Sequence, residues 1–372
     1  MGRLSIYRRA ATMVALPLTL LCAGMAWPDV DCLPDDSKVP VLKTAAGLEF
    51  VRTPDERFEN LAGFPFAPHY VEVGGGLRMA YIDEGPADGE LVLLMHGQPS
   101  WSYLYRKMVP GLTAAGRRVI AVDLIGLGRS DKPVSLDAYT YAQHVEWARE
   151  FVTKLDLKNI TLFCQDWGSL IGLRLAGDMP ERFARIVAAN ATLPVSPTGT
   201  TPYKRNPAPQ IDCTKSDFPP AGWEALSQVA RFQSWIDYCL TAPDVRPHQV
   251  IEVATEVTLS AEEARGYDAP YPSFIYKAGI RSFPACASAI PLENIAAWTA
   301  LGKFERPFLT LWGAKDQILG AETMQNALVK QVPGAKGQPH ERFEANHFIQ
   351  EDIGEILAER VNKFIADNPS KN

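Results

Sequence analysis

Short apolar runs alternate with segments of helical periodicity along most of the chain from Leu77 onward. This alternation predicts the α/β fold class, with a mostly parallel sheet flanked by helices. The predicted strands are "LRMAYID", "ELVLLMHG", "RRVIAVDLIG", "NITLFCQD", "ARIVAANA", "PFLTLWGAKD" and "HERFEANH". The predicted helices, with apolar residues three and four positions apart, are "YTYAQHVEWAREFVTKLD", "GSLIGLRLAGDM" and "IGEILAERVNKFIADN".

The alternation stops between about Pro194 and Trp298, where prolines are followed by helical segments such as "AGWEALSQVARFQSWIDYCL" and "SAEEARGYDA". This pattern predicts a helical cap over residues 195–298, inserted between the two parts of the core, 49–194 and 299–372. Open α/β sheets bind ligands at the carboxyl ends of their strands. We therefore expect the cap to cover those ends.

The N-terminus differs from the rest of the chain in composition. Arg3, Arg8 and Arg9 precede the apolar stretch "ATMVALPLTLLCAGMA", which is typical of a secretory signal peptide. The expected organisation is a signal peptide over residues 1–26 and a linker over 27–48, in a periplasmic or secreted protein. An uncleaved membrane anchor and a cytoplasmic protein are the alternatives.

Cysteine usage leaves the compartment open. The chain has six cysteines, so removal of Cys22 with a signal peptide would leave five. One disulfide among Cys213, Cys239 and Cys286 is an open alternative that their spacing does not decide.

Composition and charge restrict the class of ligand. The chain has 372 residues, of which 47% are hydrophobic, and a formal net charge of -6. No run of basic residues is present to attract nucleic acid or anionic lipid. A small neutral substrate fits this balance, and no metal-ligand spacing occurs.

The motif "CQDWGS" places Asp166 at the end of an apolar predicted strand, directly before a predicted helix. Some hydrolases carry their nucleophilic serine in a G-x-S-x-G turn at this point, but the chain contains no such motif. An aspartate is ionised at neutral pH and attacks carbon without an activating base. We therefore expect Asp166 to be a nucleophile that forms an alkyl ester, with Cys164 as a small packing residue.

Hydrolysis of such an ester needs a water molecule activated by a histidine that is oriented by an acid. His347 lies in a turn between a predicted strand and the last helix, and Asp316 follows the strand "PFLTLWGAK". The chain order nucleophile, acid, histidine matches the order known for this arrangement. We assign His347 as the general base and Asp316 as the acid that orients it.

The tetrahedral intermediate would require two backbone N–H donors. The residue after the nucleophile, Trp167, supplies one, and Gln98 in the loop "MHGQP" supplies the other. We expect a structural role for His96, and the Gln98-Pro99 bond is a candidate for the cis form. The motif "IGLGRSD" lacks the register of a dinucleotide loop and is interpreted as a turn.

Several motifs together resemble the haloalkane dehalogenases of the α/β-hydrolase fold: "HGQPSWSYLYRKMVP", "GRSDKP", "CQDWGS", "AKDQILG" and "NHFIQED". The resemblance runs from about Glu49 to Phe364. It is greatest to the subfamily whose catalytic acid follows the strand before the histidine strand, as Asp316 does. Another subfamily has a glutamate where this chain has Asn190.

The resemblance implies two tryptophan donors for the departing halide. They are Trp167 and, in the cap motif "RFQSWIDYCL", Trp235, with Trp223 as a competitor for the second role. It also implies a substrate pocket lined by five residues: Leu170, Phe232, Phe283, Pro284 and Ile318. At the position of Gln98 the family more often carries glutamate or asparagine, which leaves open the role of this side chain.

The expected reaction is hydrolysis of a small halogenated alkane by water to a primary alcohol and a halide ion, without a cofactor, by a monomer. An epoxide hydrolase would use the same three residues with tyrosine donors from the cap, and four tyrosines are available: Tyr238, Tyr267, Tyr271 and Tyr276. A non-catalytic ligand receptor on the same fold is the third alternative, which the retained Asp166, Asp316 and His347 disfavour.

Overall fold

The structure is a computed structural model that describes residues 32–195, 210–215, 217–220, 222–287 and 293–370. The predicted signal peptide, residues 1–26, lies outside the described residues. Across the described ranges, none of the helices combines the length and apolar character needed to cross a bilayer.

The strands occupy the runs that the apolar pattern predicts, with additional short strands, three of them near the N-terminus and one at residues 132–133. Their bounds are β1 (Leu42–Lys43), β2 (Glu49–Val51), β3 (His69–Val73), β4 (Leu77–Glu84), β5 (Leu91–Met95), β6 (Arg118–Val122), β7 (Lys132–Pro133), β8 (Ile160–Gln165), β9 (Phe183–Ala189), β10 (Phe308–Gly313) and β11 (Glu341–Phe343).

The central sheet has the order β11-β10-β9-β8-β5-β6-β4-β3. The six strands from β11 to β6 are parallel to their neighbours, whereas β4 pairs antiparallel with both β6 and β3. The predicted mostly parallel sheet is confirmed. The sequence pattern did not predict β3 or the small sheet β1-β2-β7.

Helices cover both faces of the sheet and form the cap. Their bounds are α1 (Val109–Ala114), α2 (Tyr141–Lys154), α3 (Trp167–Asp178), α4 (Gln228–Thr241), α5 (Pro247–Val253), α6 (Ala261–Asp268), α7 (Ala278–Cys286), α8 (Glu293–Leu301), α9 (Glu322–Gln331) and α10 (Ile349–Asp367).

The two faces of the sheet belong to different hydrophobic clusters. In β5, Leu93 and Met95 pack into the cluster that contains α2, α3 and α8, whereas Val92 and Leu94 pack into the cluster that contains α1 and α10. Alternate residues of a strand point to opposite faces. A strand covered on both faces is therefore buried along its whole length and mostly apolar, as β5 and β8 are.

The cap helices α4 to α7 follow β9 and precede α8. A cap boundary at residue 298 falls inside α8, which packs on core helix α3. Helices α3 and α8 approach each other closely because Gly177 in α3 lacks a side chain. A Cβ at this position would lie 2.8 Å from the Cα of Ala297 in α8. Helix α8 thus lies against the core.

A disulfide joins Cys32 to Cys213 across 181 positions of the sequence. The pairing considered among Cys213, Cys239 and Cys286 is wrong, because Cys239 and Cys286 are buried in α4 and α7 and are not disulfide-bonded. The thiol of Cys286 faces the carbonyl of Tyr139. Cys213 is instead bonded to the start of the described N-terminal segment.

Candidate active site

The carboxyl ends of the parallel strands bring the predicted catalytic residues to one edge of the sheet. Strand β8 ends at Gln165, immediately before Asp166. Asp316 follows β10, His347 follows β11, and Gln98 follows β5. Parallel strands end on the same side of a sheet, so residues far apart in sequence meet there.

Asp166 occupies a strained turn between β8 and α3. Its backbone has φ 50° and ψ -130°, a conformation that residues other than glycine rarely adopt. Two glycines make the turn sterically feasible. A Cβ at Gly168 would lie 2.0 Å from the carbonyl oxygen of Met95, and a Cβ at Gly97 would lie 2.0 Å from Oδ1 of Asp166. The turn exposes the carboxylate at the sheet edge.

One of the two predicted backbone donors contacts the Asp166 carboxylate. The N–H of Gln98 donates to Oδ1 of Asp166 over 2.8 Å, and the Gln98-Pro99 bond is cis. Trp167 is the first residue of α3, where backbone N–H groups have no acceptor within the helix. With Oδ1 held by Gln98, Oδ2 faces His347, whose Nε2 is 3.5 Å away.

His347 and Asp316 form a buried pair. The distance from Nδ1 of His347 to Oδ2 of Asp316 is 2.7 Å, and the Asp316 side chain has no solvent exposure. Asp316 accepts three further hydrogen bonds: from the side chain of Asn190 at 2.8 Å and from the backbone N–H groups of Ile318 and Leu319 at 2.7 and 2.9 Å. These donors fix the carboxylate that orients the imidazole.

The electrostatics of the pair follow from these contacts. Burial raises the pKa of Asp316, but the His347 side chain and the backbone donors outweigh burial and leave the pKa below its ordinary value. Burial disfavours the charged form of His347, but the carboxylates of Asp316 and Asp166 outweigh it and raise the pKa of His347 to about 10. While Asp166 is ionised, both carboxylates therefore favour the protonated form of His347.

A cavity of about 90 Å³ lies between this edge of the sheet and the cap. Its floor contains Asp166, Trp167, Gln98 and His347. The remaining lining side chains, mostly apolar, are Phe218, Trp223, Phe232, Trp235, Val250, Val253, Ala254, Asp316, Gln317, Ile318, Asn346 and Phe348. The cavity is therefore an apolar chamber with a carboxylate and an imidazole at its base.

The two predicted halide donors, Trp167 and Trp235, line this cavity together. In the part of the chain that the structure describes, neither indole N–H has a protein acceptor. By contrast, the indoles of Trp101, Trp298 and Trp312 donate to backbone carbonyls. An indole N–H can only donate, so an anion in the cavity would supply the acceptor that Trp167 and Trp235 lack.

Comparison with known proteins agrees with this geometry. A sequence profile described as the alpha/beta hydrolase fold matches residues 90–352. A haloalkane dehalogenase of Mycolicibacterium paratuberculosis (strain ATCC BAA-968 / K-10) is 44% identical over 323 residues, which cover 84% of this chain and 97% of the relative. A haloalkane dehalogenase of Psychrobacter cryohalolentis is 43% identical over 334 residues, which cover 87% of this chain and 100% of the relative.

The chain belongs to the haloalkane dehalogenase family. Among solved structures, the haloalkane dehalogenase DpaA from Paraglaciecola agarilytica NO2 is similar at 33% identity with a TM-score of 0.67, over 85% of this chain and 98% of DpaA. The expected α/β-hydrolase fold and the resemblance read from the motifs are thus confirmed.

Of the five pocket residues implied by the family resemblance, the structure brings only Phe232 and Ile318 to the cavity. The cavity lining does not include the other three: Leu170, Phe283 and Pro284. Phe283 is buried between His144, at a ring distance of 4.0 Å, and Trp167, at 5.1 Å. Its neighbour Pro284 is buried in α7, and Leu170 is buried in α3. Phe283 therefore packs edge-on against the indole of Trp167.

The side chain of Gln98, whose role the sequence left open, joins the core loop to the cap. Its Nε2 donates to the carbonyl of Ile280 in α7 over 2.7 Å. The backbone N–H of the same residue contacts Asp166. Gln98 therefore couples the position of the cap to that of the nucleophile.

Two residues beside the site are part of the packing, as expected. Nε2 of His96 accepts from the N–H of Leu124, so its Nδ1 donates to the carbonyl of Gly97. Burial lowers the pKa of His96 and keeps the ring neutral. Burial raises the pKa of Cys164, whose thiol faces the carbonyl of Val187.

Sequence reasoning missed several residues of the site. Phe218 packs edge-on between Trp223 and Trp235, with ring distances of 5.0 Å to both, and lines the cavity. The competitor Trp223 lies in the same wall as Trp235. Phe218 belongs to a proline-rich stretch without periodicity, so no sequence signal marked it. Gln165, next to the nucleophile, did carry a signal: it is a polar residue at the end of an apolar strand.

Proposed function

We propose that the protein hydrolyses small haloalkanes to a primary alcohol and a halide ion through an alkyl ester of Asp166. One observation carries the proposal: the carboxylate of Asp166, the imidazole of His347 and the indoles of Trp167 and Trp235 line a single apolar cavity. The proposed roles of these residues are those assigned from the sequence, and no cofactor is invoked.

In the first step, Oδ2 of Asp166 attacks the carbon that carries the halogen. Its lone pair forms the carbon–oxygen bond while the carbon–halogen bond breaks, and that electron pair leaves with the halide. The hydrogen bond from Gln98 occupies Oδ1 of Asp166, which leaves Oδ2 for the attack.

The departing halide would be costly in an apolar cavity without donors. We assign the indoles of Trp167 and Trp235 as these donors, because both line the cavity. A hydrogen bond to a charged group contributes about 1.5 to 3 kcal/mol. If the full contribution develops in the transition state, each indole accelerates displacement by roughly ten- to a hundredfold.

In the second step, Nε2 of His347 takes a proton from a water molecule, whose oxygen attacks the ester carbonyl of Asp166. Negative charge develops on Oδ1, where the N–H groups of Gln98 and Trp167 stabilise it. Collapse breaks the bond between the acyl carbon and the alkyl oxygen, and the alcohol leaves with the proton from His347. Asp166 is then a carboxylic acid, which releases its proton to return to the carboxylate. Asp316 stabilises the imidazolium throughout.

Bromide release from 1-bromobutane and 1,2-dibromoethane tests the proposal. The wild-type protein should release bromide and alcohol. Asp166→Ala should release neither, and His347→Gln should release one bromide per chain and retain the alkyl group on the peptide that contains Asp166, as mass spectrometry detects. A folded wild-type protein that releases no bromide from either compound contradicts the proposal.

The epoxide hydrolase alternative needs phenol donors in the cavity. Within the described residues, the cavity lining includes none of Tyr238, Tyr267, Tyr271 and Tyr276. The hydroxyl of Tyr267 donates instead to Glu351, and that of Tyr238 to the carbonyl of Asp244. Turnover of styrene oxide without bromide release would favour this alternative. A receptor would keep its ligand response in Asp166→Ala.

We also propose that the protein is exported. Support comes from the arginines and apolar stretch at the N-terminus and from the Cys32–Cys213 disulfide. After loss of Cys22 with a signal peptide, five cysteines remain, and this one disulfide together with the buried thiols of Cys164, Cys239 and Cys286 accounts for them. Fractionation of the native host followed by N-terminal sequencing tests export, and a cytoplasmic protein with an intact N-terminus contradicts it.

We further propose that the protein acts as a monomer, because one chain supplies every residue named in the two steps. The similar DpaA is described as tetrameric. Light scattering coupled to size-exclusion chromatography gives the mass directly, and a stable tetramer would overturn the proposal.

A further inference from the structure

The side chain of Gln165 contacts the general base at two points. Gln165 is the last residue of β8 and is fully buried. Its Nε2 atom lies 3.1 Å from the backbone carbonyl oxygen of His347 and 3.1 Å from the ring atom Nε2 of His347. The same amide therefore contacts both the backbone of His347 and the ring nitrogen that must accept the proton of water.

The carbonyl contact determines which way the amide is oriented. A backbone carbonyl can only accept, so the NH2 group of Gln165 must face it. The opposite orientation would bring two oxygens together. In the observed orientation, Oε1 of Gln165 is buried without a hydrogen-bond partner among the described residues, which costs stability.

The ring contact selects one state of His347. The second N–H of the amide can donate to Nε2 only if that nitrogen carries a lone pair. Asp316 accepts from Nδ1 on the other side of the ring. Together the two contacts favour the neutral imidazole with its proton on Nδ1, which is the form required of a general base.

Carboxylates around His347 favour the charged imidazolium and so act against this preference. Asp316 faces Nδ1 at 2.7 Å, and Asp166 faces Nε2 at 3.5 Å. Glu256 and Asp352 contact the preceding residue, Asn346. Lys315 pairs with Glu256.

Alkylation changes this balance. In the free protein, both carboxylates favour the imidazolium. Esterification neutralises Asp166, so only Asp316 still favours the charge through direct contact with the ring, while the Gln165 amide faces Nε2. The first chemical step therefore shifts His347 toward the form that the second step requires.

We propose that Gln165 is a positioning residue for the second step, which holds His347 as the neutral, Nδ1-protonated base once Asp166 has become an ester. This inference rests on the proposed function, since it concerns hydrolysis of the alkyl ester. Gln165 itself touches neither substrate nor water in this role.

The test compares Gln165→Met, which removes the donor at similar volume, with Gln165→Glu, which replaces it by an acceptor. Gln325 provides matched controls, because it is also buried and its Nε2 donates to a backbone carbonyl, that of Glu341, away from the cavity. The measured quantity is the rate of alkyl-enzyme hydrolysis in single turnovers of 1-bromobutane across pH.

Loss of one hydrogen bond that favours the neutral ring should move the midpoint of this pH profile upward by about one unit in Gln165→Met. The shift should be larger in Gln165→Glu. The variants Gln325→Met and Gln325→Glu should keep the wild-type midpoint. A lower plateau with an unchanged midpoint would show that Gln165 only supports the fold, and would overturn the proposal.

A second measurement does not depend on the folding of Gln165 variants. In Asp166→Ala, nitrogen NMR of the His347 ring should show a neutral imidazole protonated on Nδ1 at neutral pH. An imidazolium there, or a proton on Nε2 of a neutral ring, contradicts the inference. Failure of the proposed function gives a different result: the wild-type protein would show no initial release of bromide at all.

Discussion

Asn190 donates a hydrogen bond of 2.8 Å to Oδ2 of Asp316, the same atom that His347 contacts at 2.7 Å. The Oδ1 atom of Asn190 accepts from the N–H of Gly313. Asn190→Asp would keep that acceptor and replace the donor beside Asp316 by an oxygen. Two carboxylates would then compete for one proton, and the pKa of Asp316 would rise.

Each unit by which the pKa of Asp316 rises corresponds to a tenfold change in its ionisation equilibrium. Asn190→Asp should therefore slow hydrolysis of the alkyl-enzyme by about tenfold or more. The rate of bromide displacement should change less, because the side chain of Asp166 does not contact Asn190. Stopped-flow measurement of the two steps separates the effects. A uniform loss in both steps would argue against the assigned role of Asp316.

Removal of an indole donor should slow displacement most for a poor leaving group. Trp167→Phe and Trp235→Phe should each reduce chloride release from 1-chlorobutane by about ten- to a hundredfold. Trp223→Phe is the matched control, since Trp223 lines the same cavity. If Trp223→Phe causes the larger loss, the second halide donor is Trp223 and the assignment of Trp235 is wrong.

Gln98→Glu should loosen the contact between core and cap while keeping the backbone donor to Asp166. An oxygen would replace the Nε2 atom that donates to the carbonyl of Ile280. Loss of a partner for a buried carbonyl costs about 1 to 3 kcal/mol. Urea denaturation should show this loss of stability, and KM should rise more than kcat falls. Unchanged stability would indicate that the side chain does not bridge to the cap.

The Cys32–Cys213 disulfide should stabilise the segment that carries Phe218. Removal of a native disulfide typically costs about 2 to 5 kcal/mol. Replacement of both cysteines by serine should lower the free energy of unfolding by about this amount. A reducing agent should produce the same loss in the wild-type protein and none in the double variant. Alkylation of Cys32 and Cys213 without prior reduction would disprove the pairing.

Acid should destabilise the protein through His144, which is 1% exposed and whose Nε2 has no partner among the described residues. Burial lowers its pKa to about 3, from an ordinary value of 6.5. Below pH 6.5 the unfolded chain binds a proton that the folded chain does not, so stability falls as the pH decreases toward 3.

At about pH 5 this contribution amounts to about 2 kcal/mol. His144→Phe should remove this contribution. Between neutral pH and pH 5, the free energy of unfolding of the variant should therefore fall by about 2 kcal/mol less than that of the wild-type protein. His69→Gln is the control, because His69 is exposed on β3. Equal acid sensitivity in the wild-type protein and His144→Phe would contradict the assignment.

The residues at the ends of the strands could be predicted because local pattern determines them. An apolar run predicts a buried parallel strand, and the polar residue that follows it must lie at the sheet edge. Asp166 and Asp316 each follow such a run, whereas His347 follows the short, mostly polar strand β11 and was located by the turn before the last helix. The family resemblance then assigned chemistry to them. Strand β3 escaped prediction because its residues are partly exposed and lack a strong apolar pattern.

By itself the sequence determined the α/β fold, the family and the three residues at the strand ends, since these depend on periodicity and on motifs within a few positions. Only the tertiary structure decided which cap residues reach the cavity. Phe232 lies there, whereas Phe283 faces His144 and Trp167 from behind. The tertiary structure also decided which cysteine pairs with Cys213 and that Gln165 contacts His347. These relationships join residues far apart in the chain, and their geometry depends on how helices and strands pack.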